Sequence, residues 1–422
     1  MTAHPRKTVA RPPMSERRIS LIGALLVAVG PLSMALYTPA MPEIVEAFGT
    51  TEAAGKITLS LYFAGFALAQ LVCGPLSDGF GRKPVTRVFL LIYIVASACA
   101  LFAPTIEALI AARVLQGVGA AVGLAIARAV VRDLFTSERS ARVMNLLWLI
   151  LSIGPAVAPT IGGITMELFG WQAIFVLMLL MGIVIMVVVQ IGLEETIERD
   201  VSRIRPAALV NSYRTLITSS YFMSSSLVVG FLIGAIYTQA TVLPFILMGR
   251  VGLSPTAFGF GMLMQSGSFI LGSLVVRRLM NLYGAQRIVP IGLVCVALGA
   301  VAMAILLRIG EPSFLMVMGP VAFYAFGIAF ILPAMNTAIL APFPQIAGAA
   351  AALSGFMQMG GGLIGGTVLA LFADSVTAMA TVVPAMGILA IVCWTWWRTL
   401  PEPAMAQHTV SRSGEGVGPP PA

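Results

Sequence analysis

Eleven stretches of this chain, from 14 to 62 residues long, contain no Asp, Glu, Lys or Arg: 19–42, 57–77, 88–106, 114–127, 143–166, 168–193, 215–249, 251–276, 288–307, 312–373 and 375–397. A helix that crosses a bilayer needs about 20 mostly apolar residues, so most of these runs have the length of one membrane span. Hydrophobic residues make up 59% of the chain and charged residues 10%, against roughly a quarter charged in soluble domains. A soluble fold of this size could not hide that much apolar surface, and an all-α membrane protein is expected.

Eleven runs become twelve spans. The run 312–373 is too long for one helix and breaks at Pro342 and Pro344, because proline removes a backbone donor; residues 312–336 and 347–372 become spans ten and eleven. The run 114–127 reaches full length only if Arg113 enters the membrane. An even number of spans puts both termini on one side, and the excess of Arg and Lys marks the cytoplasmic side. With the termini inside, 20 Arg and Lys fall on the cytoplasmic tails and loops, against Lys56, Arg250 and Arg308 outside. Topology and contact with anionic lipid account for the net charge of +8, and nucleic acid is not an expected partner.

The expected organisation is a cytoplasmic N-tail (1–18), a six-helix bundle (19–193), a charged cytoplasmic linker (194–218), a second six-helix bundle (219–400) and a disordered Pro/Gly/Ser-rich tail (401–422). The most charged connection thus separates six spans from six, and a monomer is expected. Arg17 and Arg18 ahead of an apolar run imitate a secretion signal, but the run is too long and reads as span one. Cys73, Cys99, Cys295 and Cys393 lie inside apolar runs without metal-ligand spacing, His4 and His408 lie in the tails, and there is no GxxxxGK[ST] loop. No metal, cofactor or enzymatic chemistry is expected, nor ATP-driven transport by this chain alone, and a proton gradient is the expected energy source.

Several motifs narrow the class. GPLSDGFGRKP (74–84) joins spans two and three; Asp78 ends a helix, where a negative charge is disfavoured, so Arg82 in its own loop is the expected partner. RVLQGVGAA (113–121) sets Arg113 and Gln116 one helical turn apart beside glycines that permit close helix approach. An arginine at mid-span usually faces a cavity or a partner; the alternative is that Arg113 snorkels outward. GPAVAPTIGG (154–163) brings Gly154, Pro155, Pro159, Gly162 and Gly163 into span five. After span eight, Gly272, Arg277, Arg278, Gly284 and Arg287 loosely echo the first loop.

Together with ARAVVRDLF (127–135), GWQAIF (170–175), PAMNTAILAPFP (333–344) and GAAAALSGFMQMGGGLIGG (348–366), these motifs resemble the Bcr/CflA branch of the drug:proton antiporters in the major facilitator superfamily. The resemblance covers nearly all of 19–398 and implies two pseudo-symmetric bundles, alternating access, and export of drugs or related small molecules across a bacterial inner membrane. It also implies a conformational latch of Asp78, Gly81, Arg82, Lys83 and Asp133, with Asp78 approaching the start of span eleven near Ala347. The run at 154–163 resembles the antiporter motif of drug exporters. Gly79 stands where that pattern commonly has Arg or Lys, which removes one latch contact.

A second departure concerns energy coupling. The family's span one commonly reads like GPLAIDMYLPALP; here GPLSMALYTPAMP (30–42) places Ala35 at the acidic position. None of the 17 acidic residues falls in the middle of a span, which leaves rim carboxylates such as Asp78, Glu107 and Asp133, or weak or absent coupling. Polar and aromatic residues inside the spans, which must face the interior, are the candidate substrate or coupling residues: Tyr37, Tyr62, Gln70, Arg113, Gln116, Asn145, Trp148, Tyr237, Gln239, Gln265, Tyr324, Asn336 and Gln358, with Met34 and Met41 as a soft wall. A metabolite exporter or facilitator without proton coupling, and a non-transporting membrane sensor, remain alternatives. Restoring the missing carboxylate should matter: Ala35→Asp is expected to create or strengthen dependence of transport on a proton gradient in proteoliposomes, and a native chain that already responds fully to the gradient would refute the missing-carrier argument.

Overall fold

A computed structural model of the chain describes residues 14–135, 137–201 and 206–403; among residues 137–155 the side chains of 137–142, 145, 146, 148–153 and 155 lie outside the description. Twelve long helical segments account for most of the described chain: α1 (Glu16–Ala47), α2 (Glu52–Phe80), α3 (Arg82–Leu101), α4 (Ile106–Leu134), α5 (Ser137–Phe169), α6 (Gln172–Gly192), α7 (Ser220–Arg250), α8 (Pro255–Tyr283), α9 (Ala285–Ile309), α10 (Phe314–Leu340), α11 (Ala347–Ala370) and α12 (Ser375–Arg398). Polar residues begin many of them. Ser15, Thr51, Thr105, Ser219, Ser254, Ser313 and Asp374 each accept a hydrogen bond from a backbone amide in the first turn, a cap that contributes about 1 kcal/mol.

Among the described residues, ten of these helices are long and apolar enough to cross a membrane; α5 lies partly outside the described side chains, and α11 falls short of that hydropathy. Helix α11 has the length, with 24 residues, but glycine replaces bulky side chains along it. A Cβ on Gly361 would lie 2.6 Å from the Gly230 carbonyl oxygen of α7, and one on Gly366 would lie 2.2 Å from Ser60 Oγ of α2. The glycines that dilute its hydropathy let α11 fit between two neighbours.

Two large buried clusters form. One draws almost entirely on residues before 194, the other on residues 216–397. Across the seam between them α2 packs on α11 and α5 on α8. Helices α3, α6, α8 and α9 turn rows of large apolar side chains outward, among them Val88 and Leu91, Leu180 and Val184, Leu271 and Leu274, and Val294 and Leu298. Such continuous exposed apolar surface belongs against lipid, and the chain is a multi-pass membrane protein.

Both echo loops turn at a glycine in the same conformation, Gly81 (φ 100°, ψ 150°) and Gly284 (φ 81°, ψ 156°), a region that side chains rarely adopt. The linker is not a plain connection: residues Pro206–Thr218 form a helix, and Tyr213 Oη donates to the Leu71 carbonyl at 2.7 Å. Burial pushes the Tyr213 phenol up to about 12, so it stays a neutral donor. Lys56, assigned above to an external loop, instead lies in the second turn of α2 and is 1% exposed.

The glycines of α4 do the closest packing. A Cβ on Gly117 would sit 2.1 Å from the Tyr62 carbonyl oxygen, and one on Gly123 1.9 Å from that of Leu26, whereas one on Gly74 would meet nothing within 4 Å. Gly117→Val should therefore lower the melting temperature of the detergent-solubilised protein by an amount equivalent to about 1–3 kcal/mol, while Gly74→Ala should leave it nearly unchanged.

Candidate functional site

Arg113 sits in α4, four residues before Gly117, and its side chain is fully buried. Because Gly65 of α2 and Gly117 let α2 and α4 approach backbone to backbone, Tyr62 of α2 comes to lie over one ring-sized face of the guanidinium, 4.4 Å from its carbon. Tyr37, near the end of the first stretch of α1, stacks at 4.2 Å. Hydroxyls fix both rings: Tyr62 Oη donates to the Gly30 carbonyl at 3.0 Å, and Tyr37 Oη shares a 2.6 Å bond with Thr58 Oγ1. The outward-snorkelling alternative is excluded by this burial.

Arg113 Nη1 donates to Gln116 Oε1. Gln116 Nε2 in turn donates to Ser97 Oγ at 2.7 Å and faces Met178 Sδ at 3.3 Å, so α3, α4 and α6 hold one edge of the guanidinium in place. Among the described residues, Nε and Nη2 have no hydrogen-bond partner. An arginine at mid-span costs roughly 2.5–3.5 kcal/mol on insertion scales, and a desolvated cation–π contact returns about 2 kcal/mol. Two such contacts offset a cost of that order and leave the unpaired edge as the high-energy feature of the site.

This cage borders the seam. Phe63, next to Tyr62, stacks on Tyr237 of α7 at 5.1 Å, and a Cβ on Gly362 of α11 would touch both rings. Met34 is buried on α1 in the same cluster as Tyr37. The remaining candidates scatter. Gln239 and Gln265 pair with each other at 3.2 Å, Gln358 contacts Ser354 Oγ at 3.4 Å, Asn336 is half-buried on α10, and Gln70 lies against Gly355. Tyr324 packs between Gly299 and Gly387 inside the second bundle. Asn145, Trp148 and Pro155 fall on side chains outside the described residues. The groove of about 640 Å³ between α3 and α6, lined by residues such as Arg87, Leu91 and Gln190, contains none of the candidate substrate residues.

The loop at 74–84 forms a tight charge cluster on the face that carries the linker. Arg82 is buried; its Nη1 lies 2.5 Å from Asp78 and its Nε 2.9 Å from Asp133, and Ser77 Oγ accepts a further bond. Gly81 is required here because a Cβ would meet Glu195 Oε2 at 2.5 Å. Glu195, from the linker, accepts from the backbone amides of Arg82 and Lys83 at 2.8 and 3.2 Å, and Gly79 accepts from the Asp200 amide. Lys83 turns away and caps α6 at the Gln190 carbonyl. Asp78 makes its contact to Arg82 and no hydrogen bond to the first turn of α11 among the described residues.

On the opposite face hydrogen bonds to two glutamates join the bundles. Glu52 accepts from Ser375 Oγ, and Glu167 accepts from the Thr256 amide at 3.1 Å. Lys56 pairs with Glu52 at 3.4 Å and lies over the Phe245 ring of α7 at 5.5 Å, while Arg250 pairs with Asp374. Burial alone would raise the Asp374 pKa, but the Thr377 amide and Arg250 outweigh it and hold the carboxyl below its ordinary value. Sequence reasoning missed this clasp because Glu52, Glu167 and Ser375 are far apart in the chain. In the GPAVAPTIGG run, Pro159 and Gly163 press on Gly259 and Pro255 of α8, Gly162 presses on Leu36 of α1, and Gly154 meets little besides Leu32.

The model of the Major Facilitator Superfamily matches residues 23–366. An uncharacterized MFS-type transporter of Bacillus subtilis is 26% identical over 387 residues, covering 90% of this chain and 95% of that one. Multidrug resistance protein D of Escherichia coli is 28% identical over 377 residues, covering 89% and 94%. A crystal structure of a bacterial homolog of the human lysosomal transporter Spinster, inward-facing and unoccupied, superposes with a TM-score of 0.70 at 15% identity, over 94% of this chain and 98% of that one. That last likeness is one of fold.

The two carboxylates on Arg82 are not equivalent, since Asp133 is 13% exposed and Asp78 44%. Asp133→Ala removes the buried carboxylate from Arg82 Nε, leaving Asp78 and Ser77 on Nη1, and should cost about 3 kcal/mol of stability, whereas Asp78→Ala should cost under about 1 kcal/mol. Chemical denaturation of the two variants in detergent compares them, and equal losses would refute the ranking.

Proposed function

The chain belongs to the major facilitator superfamily, and from that premise we propose that it is a secondary active transporter of the Bcr/CflA type, exporting drugs or related small molecules across a bacterial inner membrane by alternating access. The observation that carries this reading is the Arg113 cage against the seam between the bundles, where the inner faces of α1, α2, α4 and α7 meet. The naming of relatives as multidrug resistance proteins supports the substrate class. The Arg- and Lys-rich face is the cytoplasmic one on the positive-inside rule, and the clasp of Glu52 and Glu167 then closes the outer face.

Export in exchange for protons is the leading form of coupling, with the outer carboxylates Glu52 and Glu167 added to the rim candidates read from the sequence. The uncoupled reading is favoured by Ala35. Moving a unit charge across the membrane is worth about 2.3 kcal/mol per 100 mV, so a cation leaving a negative interior without exchange works against the potential, and a neutral or anionic molecule does not.

Expression in a pump-deleted host should raise the inhibitory concentration of at least one drug in a broad panel several-fold, and substrate flux in everted vesicles should fall when the pH gradient is collapsed. Resistance with flux indifferent to the gradient would select the uncoupled reading. No change in susceptibility and no flux of drugs or metabolites would overturn transport itself.

A further inference from the structure

Building on the transport reading above, we propose that Arg113 is the anchor for an anionic group, a carboxylate in its simplest form, on the transported molecule. The two unpartnered nitrogens of this buried side chain are Nε and Nη2, and in a guanidinium these present two roughly parallel N–H bonds along one edge. That edge matches the two oxygens of a carboxylate bidentately. The third nitrogen is already committed: Nη1 is held by Gln116, and Gln116 by Ser97, so the unpaired fork is fixed in orientation.

Among the described residues, nothing in the surroundings neutralises the charge. The groups that interact with Arg113 are Tyr37, Tyr62, Tyr93 and Gln116, all neutral, and Tyr93 is itself engaged with Ser33 at 2.6 Å. At the position where the resembling branch carries an acid stands Ala35, buried at 4% exposure. A buried cation with stacked faces and a free bidentate edge lacks an anion, and the protein does not supply one from within its spans. The aromatic pair Phe63 and Tyr237 next to the cage suits an apolar or aromatic body on the same molecule, which crosses the seam while its acid group engages the fork.

Three probes with one aromatic body test this: 2-naphthoate, 2-naphthamide and 2-naphthylmethylammonium, each measured by thermal shift of the purified full chain and by flux in proteoliposomes. The native chain should be stabilised by the carboxylate at least ten-fold more tightly, by apparent Kd, than by the ammonium. Arg113→Gln should abolish that preference while leaving any weak response to the amide, and Arg113→Lys should retain part of it. Equal or better response to the ammonium, no response to the carboxylate in the native chain, or an unchanged preference in Arg113→Gln would overturn the proposal. The native comparison stands whether or not the variants fold. Carboxylate binding that depends on Arg113 without any flux would uphold the anion site and count against transport, so the two failures are distinguishable.

Discussion

Backbone-to-backbone contact at glycine is the constraint on which the rest of this molecule depends. Lipid tails are as apolar as leucine, so helices in a bilayer gain little by hiding apolar side chains from one another, and association rests on close van der Waals packing and internal hydrogen bonds. Here Gly65 and Gly117 set α2 against α4, Gly119 sets α4 against α3, and Gly123 sets α4 against α1. A helix anchored on three neighbours within six residues is a fixed reference for whatever polar group it carries. Arg113 stands one turn from the first of those contacts, and that is why two tyrosines from separate helices can meet its faces.

The charges then divide by depth. Arg113 is a fully buried cation in the third turn of α4, and it is stabilised by ring faces and an amide rather than by a carboxylate. Toward the two ends of the bundles the pairing is conventional: Arg82 with Asp133 and Asp78 on one face, Lys56 with Glu52 and Arg250 with Asp374 on the other. Lys56 is as fully buried as the tyrosines, yet it reaches its exposed partner one turn away, so its cost is local. Arg113 has no such route, and its unpaired edge is the point where the protein's own electrostatics are incomplete.

Much of this was legible in the amino-acid sequence. The charge-free runs located nearly every long helix because a span excludes charge, and Ser, Thr or Asp before several of them marked the start by its capping bond. The break at Pro342 and Pro344 was placed correctly in kind, though α10 continues to Leu340, past the expected end at 336. The glycines around Arg113 announced close packing, and the Arg113–Gln116 contact follows from helical spacing alone. What was hidden depends on distance in the chain. The partnership of Glu52 with Ser375, the linker's Glu195 under Gly81, and the stacking of Phe63 on Tyr237 join segments whose register no local pattern reports. Lys56 was misplaced for a related reason: a lysine in the second turn of a helix reads as a loop charge until Phe245 and Glu52 are seen around it.

On the transport reading, these placements decide where charge can be linked to movement. A proton-coupled exporter needs a group whose ionisation changes the relative stability of two arrangements of the bundles, and a ligand shifts that equilibrium only by its differential affinity for the two. No carboxylate occupies a span centre, so a proton cannot compete with substrate for Arg113 inside the membrane. Among the described residues, Glu52 and Glu167 are carboxylates that bridge the bundles, accepting hydrogen bonds from Ser375 and Thr256 across the seam. Protonating either weakens a charge-assisted bond that holds this face shut, and an anion in the fork relieves a penalty inside the first bundle. The two effects act on one seam from different depths, so they couple without sharing a site.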